Sequence, residues 1–388
     1  MHRYGELQLF TPGPVNVPPQ VLAAGARPML HHRTPEFSAI LADLVARAQR
    51  LLGTRQEVLP VHTTGRGAME ASITNLFSPG DEILAICNGK FGEMYADIAT
   101  RHGLRVRRVS TDWLKPLDLD EVGTALAANP APRGVTVSLC ETTTAVVNDV
   151  EAVAALARAH GTLTLVDAVS AAGCLRIAFD AWGLDLLVTA SQKGLMSPTG
   201  LSLVALSERA WQATKTARLA DYYVRFTDIR GSLRGARAET PGSTPVSLVC
   251  AVAEALRMME EEGLDEVYAR HAAVAAAIRA GLQAMGLALF PAEHPHRSPA
   301  LTAFTVPEGV AGGELRGMLK REFGLVTASG LGEAYKERVV RIGHMGHVFP
   351  RDAVLLIGTL EACLFRLGRL PEPGRGVAAC IRALEAAP

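Results

Sequence analysis

Short apolar segments of strand length alternate with longer amphipathic segments over the first two-thirds of the chain. In the amphipathic segments apolar residues recur every three or four positions, which is typical of helices that pack through one face. The predicted helices cover 36–53, 67–77, 92–103 and 150–161. The predicted strands cover 81–87, 104–110, 135–141, 162–168, 184–191 and 201–207. This alternation predicts an α/β fold with a mostly parallel sheet covered by helices on both faces.

The last third of the chain has a different pattern. Two long helices are predicted at 248–263 and 269–286, followed by apolar strand-like segments and two further helices up to residue 368. That mixture favours a smaller α+β unit. We therefore expect an N-terminal segment (1–16), a large domain (17–262) and a small C-terminal domain (263–388).

Composition narrows the class of protein. The 388 residues include 39 basic and 39 acidic side chains, so the formal net charge is zero. This balance disfavours a general binder of nucleic acid or anionic membranes, which needs a basic surplus. We find no signal-peptide pattern, no apolar run long enough to cross a membrane, and no CxxC pair among the six cysteines. A cytoplasmic protein without disulfides is expected.

Lysine is scarce, which limits the candidates for amine chemistry. Only six of the 39 basic residues are lysines. Five of them lie in polar or glycine-rich surroundings: Lys90, Lys115, Lys215, Lys320 and Lys336. Lys193 instead follows the predicted buried strand 184–191. Because burial disfavours the charged form, we expect Lys193 to have a lowered pKa, as Schiff-base chemistry requires.

Two other features fall at places where ligands bind in α/β folds. The loop 63–67 precedes a helix and is rich in Thr and Gly, which suits an anion site. A glycine-rich turn capped by Thr, without a ligand, would have the same sequence pattern. Asp167 directly follows a buried strand, where it either faces a site or acts as a turn residue. With Lys193, these features match an aldehyde cofactor that carries a phosphate and a pyridine nitrogen.

The motifs identify a family. The chain resembles the class V, fold-type I pyridoxal-phosphate aminotransferases, in the alanine–glyoxylate and serine–pyruvate branch, almost from end to end. Within it, SQK preceded by VDAVS at this spacing is the most specific feature. The matching segments are FTPGPVNVP (10–18), HHRTPEF (31–37), TTGRGAMEA (63–71), SPGDEIL (78–84), NGKFGE (88–93), ETTTAV (141–146), VDAVSAAG (166–173), SQKGL (191–195), EEGLDEVYARH (261–271) and RIGHMG (341–346).

The resemblance implies a seven-stranded, mostly parallel sheet, pyridoxal 5′-phosphate as cofactor, and a role for each matching residue. Lys193 would be the Schiff-base lysine and proton shuttle, and Asp167 would pair with the pyridine nitrogen. Arg341 would bind the substrate α-carboxylate; without the family, a structural salt bridge is the simpler interpretation of this arginine. The other implied cofactor-binding residues are Thr64, Gly65, Arg66 and Gln192 at the phosphate, Phe91 and Val169 on the ring faces, Thr142 near the ring hydroxyl, and Ser243 or Thr244 at the phosphate of the neighbouring subunit.

Three positions depart from the family pattern. Ala145 stands where relatives usually have Gly, so the backbone there is expected to differ in freedom. Phe91 replaces the Trp of some relatives, which keeps stacking but removes an indole N–H. Arg66 adds a charge where relatives often have a small residue or His, which is expected to alter phosphate or substrate affinity.

The implied activity is a ping-pong transamination in a homodimer whose active sites are shared across the interface. Alanine or serine would be the donor, and glyoxylate or pyruvate the acceptor. Other donors of related enzymes stay open: aspartate, phosphoserine, aminoethylphosphonate and ureidoglycine. A cysteine desulfurase-like lyase is disfavoured because Gln192 stands where such enzymes commonly have His, and because Cys363 and Cys380 lie in helical apolar segments. A cofactor-binding module without turnover is a further alternative.

Other polar residues are expected to have structural roles. The histidine pairs 31/32, 294/296 and 344/347 fall in family motifs or in a proline-rich loop, so we expect no metal site. Glu141 is interpreted as a residue that closes its strand.

Overall fold

The structure is a computed structural model that describes residues 7–110, 112–128, 130–219 and 222–386. Its helices are α1 (Pro19–Gly25), α2 (Pro35–Leu52), α3 (Gly65–Leu76), α4 (Lys90–Arg101), α5 (Leu119–Leu126), α6 (Val150–Ala159), α7 (Glu208–Thr214), α8 (Phe226–Leu233), α9 (Val246–Glu262), α10 (Leu264–Ala284), α11 (Gly312–Phe323), α12 (Pro350–Arg366) and α13 (Arg375–Glu385). Its strands are β1 (Gln8–Leu9), β2 (Val58–Val61), β3 (Glu82–Ile86), β4 (Arg105–Val109), β5 (Gly134–Ser138), β6 (Cys140–Glu141), β7 (Val146–Val147), β8 (Leu163–Asp167), β9 (Leu186–Ala190), β10 (Ser202–Leu206), β11 (Leu301–Thr305), β12 (Leu325–Val326), β13 (Ala328–Ser329) and β14 (Val339–Gly343).

A seven-stranded sheet forms the centre of the molecule, in the order β2-β10-β9-β8-β5-β3-β4. Each neighbouring pair from β9 to β4 is parallel, and β10 runs antiparallel to both β9 and β2. Every residue of β5, β9 and β10 is buried, as expected for strands covered on both faces. The predicted mostly parallel α/β sheet is confirmed.

Local sequence signals explain where helix α2 begins and ends. Pro35 occupies its first turn, and the Thr34 side chain caps it by accepting a hydrogen bond from the Phe37 N–H. The helix ends at Gly53, whose φ of 62° is the left-handed conformation that glycine adopts most easily. The buried residues of the helix include Leu41, Leu44 and Leu51, which share one face. The predicted helix 36–53 is confirmed within one residue at each end.

The C-terminal part packs around a second hydrophobic cluster. Strands β11, β14 and β13 form an antiparallel sheet, and α10, α12 and α13 pack against one another. The chain's N-terminal segment joins this part, because β1 pairs in parallel with β12. Residues 1–6 of the predicted segment 1–16 lie outside the described residues, and the domain boundary near Gly263 stays a prediction. No helix among the described residues has the length and apolar character needed to cross a membrane.

Candidate active site

The carboxyl ends of three neighbouring strands bring together the predicted Schiff-base lysine, the predicted partner of the pyridine nitrogen and a serine. Asp167 is the last residue of β8, Ser138 is the last residue of β5, and Lys193 follows the end of β9 by three residues. Because β5, β8 and β9 are parallel neighbours, these ends lie at the same edge of the sheet. This is where ligands bind in open α/β sheets.

Lys193 is a buried amine with two hydrogen-bond partners. Its side chain is 9% exposed. Nζ donates to the carbonyl oxygen of Pro12 and to Ser170 Oγ, which is 3.3 Å away. Burial lowers the pKa of Lys193 to about 8, against the opposing effect of Asp167. The predicted direction is therefore confirmed, and the other five lysines are exposed.

Asp167 is buried and only partly satisfied by hydrogen bonds from the protein. The Val169 N–H donates to Oδ1 at 2.8 Å, and Ser138 Oγ donates to Oδ2 at 3.3 Å. Burial raises the pKa of this carboxyl, while the Val169 N–H and the charge of Lys193 lower it. Asp167 thus makes a turn-type contact and still has acceptor capacity for a further donor.

The loop 63–67 leads into α3 and leaves the start of that helix uncapped by side chains. Thr64 is the N-cap residue, yet its side chain makes no capping hydrogen bond. The first N–H groups of any helix have no partner within the helix, so they can receive an anion. Gly65 packs on Val169, because a β-carbon at residue 65 would lie 2.8 Å from Cγ2 of Val169. Arg66 is exposed.

Phe91 is the second residue of α4, and a distant carboxylate fixes the start of that helix. Glu141 is fully buried and accepts hydrogen bonds from the N–H groups of Phe91 at 3.2 Å, Gly92 at 3.3 Å and Thr143 at 2.8 Å. Burial raises the pKa of Glu141, opposed mainly by its hydrogen bonds with Thr143. The sequence predicts Lys90 in a loop and a helix from residue 92. Helix α4 instead begins at Lys90, because distant side chains satisfy its first N–H groups: that of Lys90 donates to Thr143 Oγ1 at 3.0 Å, and the next two donate to Glu141.

Arg341 contacts Thr142, which is linked to Lys193 through Ser170. The Arg341 guanidinium donates from Nη1 to the Thr142 carbonyl oxygen at 2.9 Å and from Nε to the Ser329 carbonyl oxygen at 2.8 Å. Burial lowers the pKa of Arg341 to about 10, and the charge of Glu141 opposes this. No carboxylate among the described residues forms an ion pair with Arg341, so its partners are two carbonyl oxygens. The Thr142 hydroxyl is 2.6 Å from Ser170 Oγ.

Ala145 lies in the turn between β6 and β7. Its φ is 60°, in the left-handed region that disfavours residues with a β-carbon. The Ala145 N–H donates to the Glu141 carbonyl oxygen at 2.9 Å. The backbone at this departure from the family pattern therefore takes a conformation that suits glycine.

Three further predicted residues are Gln192, Ser243 and Thr244. Gln192 Oε1 is buried and has no hydrogen-bond partner within the described chain. Ser243 is exposed and lines a cavity of about 390 Å³ together with His62 and Tyr222. The Thr244 hydroxyl is hydrogen-bonded to that of Thr240. Within the described residues, neither Ser243 nor Thr244 is hydrogen-bonded to the Lys193 amine, whose partners are Pro12 and Ser170.

Sequence reasoning does not single out Ser170 or Pro12, although both bind the Lys193 amine. Ser170 lies inside the VDAVSAAG segment and Pro12 inside FTPGPVNVP, so each belonged to a recognised motif. Their contacts with Lys193 span 23 and 181 residues, respectively, and depend on tertiary folding. One local feature points to the Pro12 contact: the glycine that follows Pro12, because glycine allows the backbone to come close to another group.

These residues fit pyridoxal phosphate. An uncapped helix N-terminus suits the phosphate, an incompletely satisfied carboxylate suits the pyridine nitrogen, and an amine with a lowered pKa suits the aldehyde. The unpartnered Oε1 atom of Gln192, which directly precedes Lys193 in the chain, is a further buried acceptor available to a ligand. In the described part of the chain, no group of three or more His, Cys, Asp or Glu residues is arranged to hold a metal ion. The cysteines are free thiols.

Comparison with known proteins agrees with this geometry. The family model for aminotransferase class-V matches residues 13–345. A relative from Synechococcus sp. (strain PCC 6716), named soluble hydrogenase, small subunit, is 39% identical over 98% of both chains. L-aspartate–glyoxylate aminotransferase from Paracoccus denitrificans is 36% identical over 96% of this chain and 94% of its own. The crystal structure of alanine–glyoxylate aminotransferase from Nostoc sp. superposes with a TM-score of 0.88 at 33% identity, covering 93% of this chain and 96% of that one. The chain therefore belongs to the class-V aminotransferases, which are pyridoxal-phosphate-dependent enzymes of fold-type I.

Proposed function

We propose that this aminotransferase moves the amino group of a small amino acid, alanine or serine, to a small 2-oxo acid, glyoxylate or pyruvate, in a ping-pong reaction. The observation that carries the proposal is the short path between a buried amine and a buried guanidinium. Lys193 binds Ser170, Ser170 binds Thr142, and Thr142 binds Arg341. An α-amino acid held by its carboxylate at Arg341 would present its α-carbon toward Lys193.

Each residue has a role in this proposal. Pyridoxal phosphate supplies an aldehyde and an electron-accepting ring. Lys193 holds the cofactor and then moves the proton at the substrate α-carbon, for which its lowered pKa is suited. Asp167 keeps the pyridine nitrogen protonated, and Arg341 binds the α-carboxylate through its planar fork.

The proposed cofactor contacts follow the same geometry. The backbone of Thr64, Gly65 and Arg66 binds the phosphate at the start of α3, helped by Gln192. Phe91 and Val169 would cover the two ring faces, and the Thr142 hydroxyl would bind the ring oxygen. The contact between Gly65 and Val169 supports a common position for ring and phosphate.

We also propose a cytoplasmic homodimer. Large apolar side chains stay uncovered in the single chain, with Tyr222 99%, Tyr223 79% and Met29 72% exposed. Such exposure favours a protein interface. Ser243 or Thr244 would then reach the phosphate of the neighbouring subunit, since Ser243 is exposed next to Tyr222. The free cysteines support a reducing compartment.

A donor with a second negative charge is the other candidate, and Arg66 favours it. Arg66 lines a groove of about 660 Å³ with Phe91 and Leu331. The acidic side chains of this groove already have partners: Glu70 pairs with His102, Glu93 with Lys90 and Asp97 with Arg108. Arg66 has no ion-pair partner within the described ranges, so its charge is available to a ligand. Aspartate and phosphoserine have such a second anionic group, whereas aminoethylphosphonate has one phosphonate and no carboxylate, and ureidoglycine has one carboxylate.

A lyase of the desulfurase type has less support. Cys363 and Cys380 are buried in the helices α12 and α13, and burial raises the pKa of both thiols to about 11. Thiols with a raised pKa are poor nucleophiles.

A donor screen tests the proposal. The purified holoenzyme is incubated with alanine, serine, aspartate, phosphoserine, aminoethylphosphonate and ureidoglycine, each with glyoxylate or pyruvate, and the new amino acid is quantified. We expect transfer from at least one donor and none from a Lys193→Ala variant. Transfer by that variant would contradict the role of Lys193. Release of ammonia without a new amino acid would contradict transamination, as would release of sulfide when cysteine is added as a further substrate.

A further inference from the structure

The Lys193 amine has two hydrogen-bond partners of different character. The Pro12 carbonyl oxygen can only accept, so it always requires an N–H from the lysine. The Ser170 hydroxyl, 3.3 Å away, can either accept or donate. Behind Ser170 lies a second hydroxyl, that of Thr142, at 2.6 Å.

We propose that Ser170, backed by Thr142, is a positioning residue that holds the Lys193 amine in both of its protonation states. The proposal rests on the proposed function insofar as a shuttle lysine must gain and lose a proton. The geometry itself needs no substrate.

The two hydroxyls can reverse their hydrogen bonds without transferring a proton. When Lys193 is an ammonium, its N–H points to Ser170 Oγ, and the Ser170 O–H points to Thr142 Oγ1. When Lys193 is neutral, the Thr142 O–H points to Ser170 Oγ, and the Ser170 O–H points to the lone pair on Nζ. Each oxygen keeps its own proton, so the pair turns round by rotation about two C–O bonds. A single acceptor such as Pro12 serves only the N–H groups.

Burial makes this pair hard to replace by solvent. Ser170 is 4% and Thr142 3% exposed. An unmade hydrogen bond at a buried site costs more than one at the surface. The remaining titratable groups that act on Lys193 are Asp167 from β8, Cys140 from β6, Cys174, and Arg341 from β14. Asp167 and the two cysteines favour the ammonium, whereas Arg341 and burial disfavour it.

Thr142 also connects the pair to the arginine. Its hydroxyl binds Ser170, while its carbonyl oxygen accepts from Arg341. A movement of Arg341 toward a substrate carboxylate would therefore change its hydrogen bond with Thr142, the residue that orients Ser170.

The experiment measures the pKa of Lys193 in the cofactor-free protein. Competitive acetylation at a series of pH values, read by mass spectrometry of the modified peptides, gives a titration curve for each lysine. Five exposed lysines in the same molecule serve as internal controls. Ser170→Ala removes the hydroxyl that bonds to both forms of the amine. The bond to the charged ammonium is the stronger of the two, so its loss should lower the pKa of Lys193 by about one unit. Thr142→Val should lower the pKa in the same direction by less, and Thr142→Ser should restore the wild-type curve.

Overlapping Lys193 curves for the wild type, Ser170→Ala and Thr142→Val would overturn the proposal, provided the curves of the five exposed lysines also overlap. If Ser170→Ala does not fold, the comparison of Thr142→Val with Thr142→Ser still tests whether the hydroxyl behind Ser170 affects the pKa of Lys193. Because no donor or acceptor is present, these results are separate from the donor screen. A protein that transaminates nothing can still show the shift, and an active one can still fail to show it.

Discussion

Gly13 and Lys193 are packed so closely that a β-carbon on residue 13 would lie 2.5 Å from Cδ of Lys193. The next atom of the lysine side chain, Cε, would be 2.7 Å away. The N-terminal segment thus forms one wall of the space in which Lys193 lies. Its neighbour Pro12 supplies the carbonyl oxygen that the amine binds.

Replacing Gly13 with Ala should displace Lys193 and lower kcat by about a hundredfold, the cost of a misplacement of roughly 1 Å at a reacting group. The visible absorbance of the bound cofactor should weaken as well. Gly13 has a φ of 102°, so backbone strain alone must be controlled for. Gly80→Ala is the matched variant, because Gly80 has a φ of 83° and nothing within 4 Å of its added β-carbon. Equal losses in both variants would contradict a specific contact.

The sequence predicts the positions of Lys193 and Asp167 well, because each follows a buried strand whose apolar run is visible locally. It also predicts the long helices, whose periodicity extends over several turns. The periodicity does not single out α8, since its eight residues are fewer than the window that reveals a helical pattern. The Ser170–Thr142 contact joins residues 28 apart, and no local pattern encodes such a pair.

The reactivity of Lys193 should depend on pH in a direction set by its lowered pKa. Only the neutral amine attacks an aldehyde, so the rate at which the cofactor-free protein takes up pyridoxal phosphate should rise with pH. Because the pKa of Lys193 is about 8, the rate should level off above pH 8, whereas an ordinary lysine would continue to gain reactivity at higher pH. Stopped-flow absorbance measures the rate, and Lys193→Arg provides the background. A rate that still climbs steeply above pH 9, roughly one unit past that midpoint, would contradict the lowered pKa.

Glu141→Gln should loosen the first turn of α4 and disturb Phe91. An amide has one acceptor oxygen in place of two, so its NH₂ group would face the N–H groups that Glu141 now accepts from. We expect a loss of about 2 kcal/mol in the free energy of unfolding, from urea denaturation, because buried donors are left unpaired. Cofactor binding, followed by its fluorescence, should weaken too.

Glu361→Gln is the control for that variant. Glu361 is also buried and accepts from the N–H groups at the start of another helix, Gly376 at 2.8 Å and Val377 at 3.4 Å. Glu361→Gln should lower the free energy of unfolding by a similar amount and leave cofactor binding unchanged. If both variants weaken cofactor binding equally, Glu141 has no special role at Phe91.

Arg341→Gln should lower kcat/KM for every α-amino acid donor by about a hundredfold or more, because a buried charged hydrogen bond to the α-carboxylate is lost. Cofactor absorbance should change little, since the hydrogen bonds of Arg341 within the protein go to the backbone carbonyl oxygens of Thr142 and Ser329 and to no cofactor-binding side chain. Arg338→Gln, an exposed arginine just before β14, is the control and should leave kcat/KM intact. A simple amine without a carboxylate should react equally with wild type and Arg341→Gln; a selective loss there would point to a structural role for Arg341.

Arg66→Gln should separate donors by charge. If Arg66 binds a distal anionic group, kcat/KM for aspartate should fall by about tenfold, a modest loss because the side chain is exposed and screened by solvent. The value for alanine should stay within about twofold, the range of a near-neutral surface change. Arg101→Gln changes a second exposed arginine of the same groove, in the last turn of α4, and should affect neither donor. Added salt should weaken the wild-type preference for aspartate, since exposed charges are screened. Parallel losses for both donors would instead place Arg66 at the cofactor phosphate, and no loss for either would leave alanine or serine as the favoured donor.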